Sequence, residues 1–369
     1  MTKGSRFIAL DALRGVAAFM VMLLHATTPS SYPSPVQSAY LAVDLFFLLS
    51  GFVLAHAYGA KLAARFRVWR DFMGQRFLRL WPLYILGSLV GLALHVYSVW
   101  KGWRADSTAS LINAFMTNAA FLPTIPPLAS ERYSGFPFNP PAWSLFSEMA
   151  VNLAFAYFAK LRRLAPLVVV TVLSGAFLVV AAVVYEGLWV GPDLGHTYVG
   201  LIRATFSFFL GVLIYQQRER LGRLGVSLPL PLALTILVVV CMAPGGLGMT
   251  TAVFDLVVVM VLFPALLALS VSAEPRGMTA AISEALGKSS YPLYIIHWPL
   301  LAVAELAFLQ LGAGELNEHP IALAAVVLLI FGVALVLGYA DDWLRKRTRA
   351  LLAPATPAKR AQSRVQPSK

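Results

Sequence analysis

Arg14 and His25 interrupt an apolar stretch near the N-terminus and stand eleven residues apart. At about 100° per residue, eleven helical steps end about 20° beyond three full turns, so the two side chains share one face, about 16 Å apart. An imidazole so placed can take a proton from a hydroxyl or accept an acyl group itself. A guanidinium can hold an anion through its planar fork or shape a channel. Each residue has a plainer reading. Arg14 can pair with Asp11 three residues earlier, and His25 can be an interfacial histidine at a helix end. Their joint placement on one face favours the chemical reading. Further ionisable residues sit in apolar stretches: Asp44, Glu148, Arg203, Asp255, His297 and Glu305. A charge at mid-membrane costs on the order of several kcal/mol, which makes each a functional candidate.

The elements that carry these residues follow from composition. Of the 369 residues, 59% are hydrophobic and 12% charged, about half the charge of an ordinary soluble domain. The mean hydropathy is +0.74. A soluble enzyme and a disordered or fibrous chain are both excluded. Apolar stretches fall at 7–26, 40–58, 78–98, 142–160, 165–185, 198–215, 228–243, 251–271, 289–311 and 321–340. Each approaches the length of about 20 residues that a helix needs to cross a bilayer. The expectation is an all-α polytopic bundle of about ten transmembrane helices, with residues 1–344 in the membrane domain. Residues 345–369 read as a basic, disordered cytoplasmic tail touching anionic lipid. The first stretch reads as a span and not a cleaved signal, because Asp11 and Arg14 break its core.

The net charge of +12 would suggest nucleic acid in a soluble protein. Here the positive charge sets topology. With the N-terminus cytoplasmic, 24 of the 29 Lys and Arg residues lie inside and only Lys101, Arg104 and Arg132 outside. No nucleic-acid partner is expected, and the single cysteine, Cys241, excludes an internal disulfide. In this orientation Asp44, Glu148, Arg203 and Asp255 begin spans that run inward, so they share the outer third with His25, and Glu305 reaches a similar depth. Such a layer is expected to line a polar cavity open to the outside, with Glu148 or Asp44 orienting the His25 ring. His297, about 12 Å from the inner end of its span, is expected deeper, positioning a donor or making a structural hydrogen bond. Arg76 and Arg79, with Arg65, Arg67 and Arg70 before them, form a cationic mouth at the cytoplasmic face. That mouth suits a phosphate-rich ligand; plain positive-inside topology is the alternative. The long, proline-rich loop 99–141 is either a lid or acceptor-binding segment or an ordinary surface loop.

Five segments, in order, carry a resemblance. They are Leu10-Asp11-Ala12-Leu13-Arg14-Gly15 with His25 following, Val43 to Phe52, Arg76 to Tyr84, Trp143-Ser144-Leu145-Phe146-Ser147-Glu148, and Ser290 to Pro299. Together they resemble the acyltransferase 3 family of membrane O-acyltransferases across residues 7–340. The resemblance implies ten helices in the bacterial inner membrane. It also implies transfer of an acyl group, commonly acetyl, from cytosolic acyl-CoA to a hydroxyl of a cell-surface glycan or glycolipid. No metal is implied. Two departures stand out. Glu148 is followed by Met149 where a second acid is common, and no C-terminal esterase-like domain follows, so handover is expected in the bundle or with a partner protein. The expected catalytic residues are His25, Glu148 and Asp44, and the expected donor-binding residues are Arg14, Arg76, Arg79 and His297. Transfer can run directly or through an acyl-histidine. The rival reading is a transporter or flippase of a glycan or proton-coupled substrate, which predicts paired half-helices or internal repeats. A structural scaffold has no use for a layer of charges spread over several helices.

Overall fold

The computed structural model describes residues 7–28, 34–64, 68–124, 135–158, 163–223, 225–244 and 250–352. Lys3, Arg6, Arg65, Arg67, Arg132, Lys160, Arg162 and the 353–369 part of the tail lie outside them. The helices are α1 (Ile8–Ala26), α2 (Ala42–Ala64), α3 (Val68–Trp100), α4 (Thr108–Ala119), α5 (Trp143–Tyr157) and α6 (Leu164–Val184). They continue with α7 (Thr197–Gly222), α8 (Leu230–Met242), α9 (Thr251–Val257), α10 (Phe263–Ser270), α11 (Gly277–Gln310) and α12 (Pro320–Leu352). A π-helical turn, Val258–Leu262, joins α9 to α10. It lies just before Pro264, whose ring excludes the carbonyl four residues earlier and whose nitrogen offers no donor. No strand occurs among the described residues.

The protein is an all-α membrane bundle. Among the described residues, eight helical stretches are long and apolar enough to cross a bilayer. The two other expected spans, 142–160 and 228–243, correspond to α5 and α8, helices of 15 and 13 residues. The outward faces are apolar, as lipid requires. On α6, Val169, Val172, Leu173, Phe177, Val180 and Val183 are exposed, while Thr171, Ser174, Gly175 and Ala182 are buried. That inversion of the soluble pattern, with small and polar groups inward, lets helices approach closely in lipid.

Two helix pairs form the frame of the site. Along α1 and α11, Gly15 faces Leu286 and Gly287 faces Asp11; a Cβ on either glycine would fall within 2.5 Å of its neighbour. Along α2 and α7, a Cβ on Gly51 would lie 1.9 Å from the Phe208 carbonyl oxygen, and one on Gly211 would lie 2.1 Å from that of Leu48. Reciprocal glycines thus bring backbone against backbone in both pairs. Contacts advance in the same direction along both chains: Arg14 meets Ser290 and His25 meets His297, while Asp44 meets Arg203 and Gly51 meets Phe208. Both pairs are therefore parallel.

The described parts of the segment 99–141, residues 99–124 and 135–141, do not stay at one end of the bundle. After Trp100, α4 turns back along α3. Trp81 Nε1 donates to Ala119 O at 2.9 Å, and Tyr84 Oη donates to Asn118 O at 2.8 Å. Phe121 stacks on Tyr84 and meets Phe77 edge-on. Those partners lie 16 to 23 residues before Trp100, about 24 to 35 Å along the helix. Non-helical backbone at such depth needs protein partners. Asn118 supplies them, with Nδ2 donating to Leu122 O, Thr124 Oγ1 and Gly135 O. Asn139 Nδ2 donates to Ile295 O at 2.8 Å. That carbonyl is the one left without its helical donor by Pro299, four residues later. α5 consequently begins inside the bundle.

Candidate active site

A cavity of about 470 Å³ lies among α1, α2, α3, α5, α11 and α12. Each helix contributes residues at three- and four-residue spacing, as one helix face must. Phe7, Leu10, Asp11 and Arg14 come from α1 and the residue before it, and Val43, Phe46, Phe47, Ser50 and Val53 from α2. α3 adds Arg76, Arg79 and Leu80, and α5 adds Ser144, Leu145 and Glu148.

The cavity is strongly charged and mostly paired. Arg14 Nη2 lies 2.6 Å from Asp11 Oδ1, and its Nε donates to Ser290 Oγ at 3.0 Å. The pairing that sequence alone allowed is thus present, and the guanidinium still lines the cavity. Arg76 Nη2 lies 2.5 Å from Glu148 Oε1, which also accepts from Ser50 Oγ at 2.7 Å. Arg345 pairs with Asp341, and Lys288 Nζ lies 3.8 Å from Asp342. Five Arg and Lys side chains line the cavity with four carboxylates, and each carboxylate is matched to one of the five. Arg79 is left over. Among the described residues its side chain has no carboxylate partner, and it is exposed.

His25 and His297 lie beyond this cavity and touch each other. His25 Nδ1 and His297 Nε2 are 2.9 Å apart, and the rings are stacked. His297 is completely buried and His25 partly exposed. His297 Nδ1 lies 3.0 Å from Leu293 O, which can only accept. The network therefore assigns the tautomers. The proton of His297 sits on Nδ1, its Nε2 accepts, and His25 donates from Nδ1. The Nε2 of His25 is left with its lone pair. Trp298 meets the His25 ring edge-on at 5.1 Å. One helical turn below His297, Tyr294 lines the cavity, its ring 6.0 Å from that of His297. Tyr294 Oη and Ser144 Oγ are 2.7 Å apart, so one donates to the other, and Pro141 O lies 3.0 Å from Ser144 Oγ and 3.1 Å from Tyr294 Oη to accept from the second.

The expected outer layer of charges separates into three places. Glu148 joins Arg76 in the cavity, because the start of α5 is held inside the bundle against α11. Asp44 forms a buried ion pair with Arg203: Nη2 to Oδ2 is 2.6 Å and Nε to Oδ1 is 3.3 Å. Arg203 spends its other donors on Val190 O and Tyr40 O and lies over the Trp143 ring. Asp255 accepts from Tyr40 Oη and from the Leu188 backbone N–H. These two carboxylates do not line the cavity. Glu305 accepts from the Leu316 backbone N–H at 3.1 Å and holds the turn between α11 and α12. Glu148 and Asp44, the carboxylates expected to orient His25, are paired with arginines instead, and α12, which carries none of the expected site residues, lines the cavity. The four-residue step from Leu293 to His297, which lets a helical histidine bond the preceding turn, was the available signal for a fixed His297 ring.

Residues 7–339 match the family described as "Acyltransferase domain". "Protein 2 in picA locus" of Rhizobium radiobacter is 38% identical over 185 residues, covering 48% of this chain and 95% of its own. "Acyltransferase MdmB" of Streptomyces mycarofaciens is 27% identical over 345 residues, 86% of this chain and 80% of its own. A Bacillus subtilis protein, YrhL, named as a peptidoglycan O-acetyltransferase, is 29% identical over 232 residues, 57% of this chain and 33% of its own. No solved structure is significantly similar. With the motif-bearing helices gathered round one charged cavity and one histidine pair, the chain is an acyl-group transferase of the membrane and belongs to the acyltransferase 3 family.

Proposed function

We propose that the protein transfers an acyl group, acetyl in the simplest case, from cytosolic acyl-CoA to a hydroxyl of a cell-surface glycan or glycolipid. The observation that carries this reading is the uncompensated Arg79 in a cavity whose other cations are each matched by a carboxylate. A surplus guanidinium lining a cavity calls for an anion. The phosphates of a CoA donor supply it, and the pantetheine arm covers about the 16 Å that separate Arg14 from His25 along α1. In this reading Arg14, Arg76 and Arg79 hold the donor, and the thioester is carried past Tyr294 towards the histidine pair.

His25 then acts as general base. Its free Nε2 takes the proton of the acceptor hydroxyl while the hydroxyl oxygen attacks the thioester carbonyl. The carbon–oxygen bond forms, the carbon–sulfur bond breaks, and the departing thiolate takes the proton from the imidazolium. His297 Nε2 accepts the hydrogen bond from His25 Nδ1–H throughout, which fixes the ring and spreads the charge. Glu148 positions Arg76. Asp44 serves by holding α2 against α7, so its part is structural. With the basic ends of α3 and α12 in the cytoplasm, donor and acceptor meet from opposite faces, and the acceptor is extracytoplasmic or lipid-linked. The names of two relatives, an acyltransferase and a peptidoglycan O-acetyltransferase, accord with such a reaction. The test uses membranes that carry the native acceptor, with protein matched by immunoblot. His25→Ala is expected to abolish acetyl transfer, and Arg79→Glu to weaken CoA binding to the purified protein. Wild-type transfer by the first variant, or wild-type affinity in the second, overturns the assignment.

A further inference from the structure

The cavity has a wall that no sequence motif marks. Gly338, Asp341, Asp342 and Arg345 present one face of α12 to it, at steps of three, one and three residues. Arg345 pairs with Asp341 one turn earlier, and its Nη2 also reaches the backbone carbonyl of Arg79 at 3.4 Å. The Arg345 guanidinium therefore stands directly beside the residue that lacks a carboxylate. Lys288, on α11, is held loosely. Its ammonium lies 3.8 Å from Asp342, 4.0 Å from Glu284 and 4.6 Å from the Tyr339 ring centre. Both carboxylate distances exceed a direct hydrogen bond. The Asp341, Asp342 and Arg345 side chains are 30, 36 and 31% exposed, so these ion pairs are partly screened and cheap to exchange.

We propose that α12 completes the anion site: Arg345 and Lys288 bind phosphate groups of the donor, and Asp341 and Asp342 occupy those cations until the donor displaces them. The proposal rests on the acyl-CoA reading above. A phosphate brings up to two charges and several acceptor oxygens where an aspartate brings one charge, so it wins the exchange at a shared guanidinium. The two aspartates keep the empty site from holding clustered uncompensated cations, and they weaken donor binding by the cost of displacing them. A merely structural Asp341–Arg345 pair, spaced four residues apart on one helix, predicts something different. Its loss lowers stability slightly and leaves donor affinity unchanged.

The test is a CoA titration of the full chain in phosphatidylcholine nanodiscs, by calorimetry, with Asp341→Asn, Arg345→Gln and the double variant. Asp341→Asn is expected to tighten CoA by about two- to fivefold, the scale of one partly exposed ion pair. Arg345→Gln is expected to weaken CoA by at least as much. In the Arg345→Gln background, Asp341→Asn loses its effect, because the carboxylate acts through that arginine. Lys288→Gln provides an independent arm and is expected to weaken CoA as well. Pantetheine, which lacks the phosphates, responds to none of these changes. Unchanged or weakened CoA binding in Asp341→Asn, or an equal gain in the double variant, overturns the proposal while leaving the acyl-CoA reading intact. If the variants alter binding of added phosphatidylglycerol and not of CoA, the site belongs to a lipid headgroup and the proposal fails. If wild-type protein binds no CoA, the parent reading falls and this one with it.

Discussion

Replacing His297 by alanine isolates what a neutral histidine contributes to its neighbour. In the wild-type protein His25 Nδ1 donates to His297 Nε2 at 2.9 Å, and His297 is locked by Leu293 O at 3.0 Å. Removing that acceptor has two effects on His25. The ring loses its fixed tautomer, so part of the population carries its proton on Nε2, where the base should be. The imidazolium formed in the transition state also loses a hydrogen bond made by a charged donor, worth about 1.5–3 kcal/mol. At about 1.4 kcal/mol per tenfold, this is a loss of about ten- to a hundredfold in kcat. The donor's phosphates do not meet His297 in this scheme, so the KM for acyl-CoA is expected to stay within about twofold. His297→Gln keeps an acceptor oxygen and should recover part of the loss. The assay is release of free CoA thiol from acetyl-CoA by membranes containing the acceptor, at saturating and limiting donor. A His297→Ala enzyme with wild-type kcat refutes the histidine pair. A variant that raises KM with kcat unchanged instead makes His297 a donor-binding residue.

Asp44→Ala should act on folding and not on chemistry. It strands Arg203 in the interior of the α2–α7 pair with its main counter-charge gone, and an unpaired buried charge of this kind costs about 3–5 kcal/mol. Most of the protein should fail to reach a monodisperse form in detergent, measured by fluorescence-detected size exclusion, while the surviving fraction keeps its specific activity. Wild-type yield and thermal stability, or a fully folded inactive protein, contradicts a structural role. The orientation assigned from charge is tested with Thr28→Cys and Arg70→Cys, each in a Cys241→Ser background. In intact cells a membrane-impermeant thiol reagent should label only the first, and labelling of Arg70→Cys alone reverses the topology.

Membrane character, helix class and the pairing of Arg14 with His25 on one face were legible in the residues themselves. They depend on short-range quantities: hydropathy over about twenty residues and the fixed angular step of a helix. Arg76, Arg79 and Glu148 were likewise singled out by type and position. The partners were not. The apolar pattern places Glu148 in the outer third, on the premise that a span begins where apolar sequence begins. In the folded chain, Asn139 caps the carbonyl freed by Pro299 and draws the start of α5 into the bundle. Asp44 and Glu148 looked equivalent as carboxylates in apolar sequence. Packing gave one a dry arginine and the other a cavity. The contact between His25 and His297, 272 residues apart, depends on how closely α1 crosses α11 at Gly15 and Gly287. The approach of Arg345, on α12, to the Arg79 carbonyl likewise depends on helix register. Sequence fixes which side chains a helix presents and at what spacing. Which neighbours those side chains find is settled by helix crossing, re-entrant backbone and reciprocal glycines, which exist only once the chain is packed.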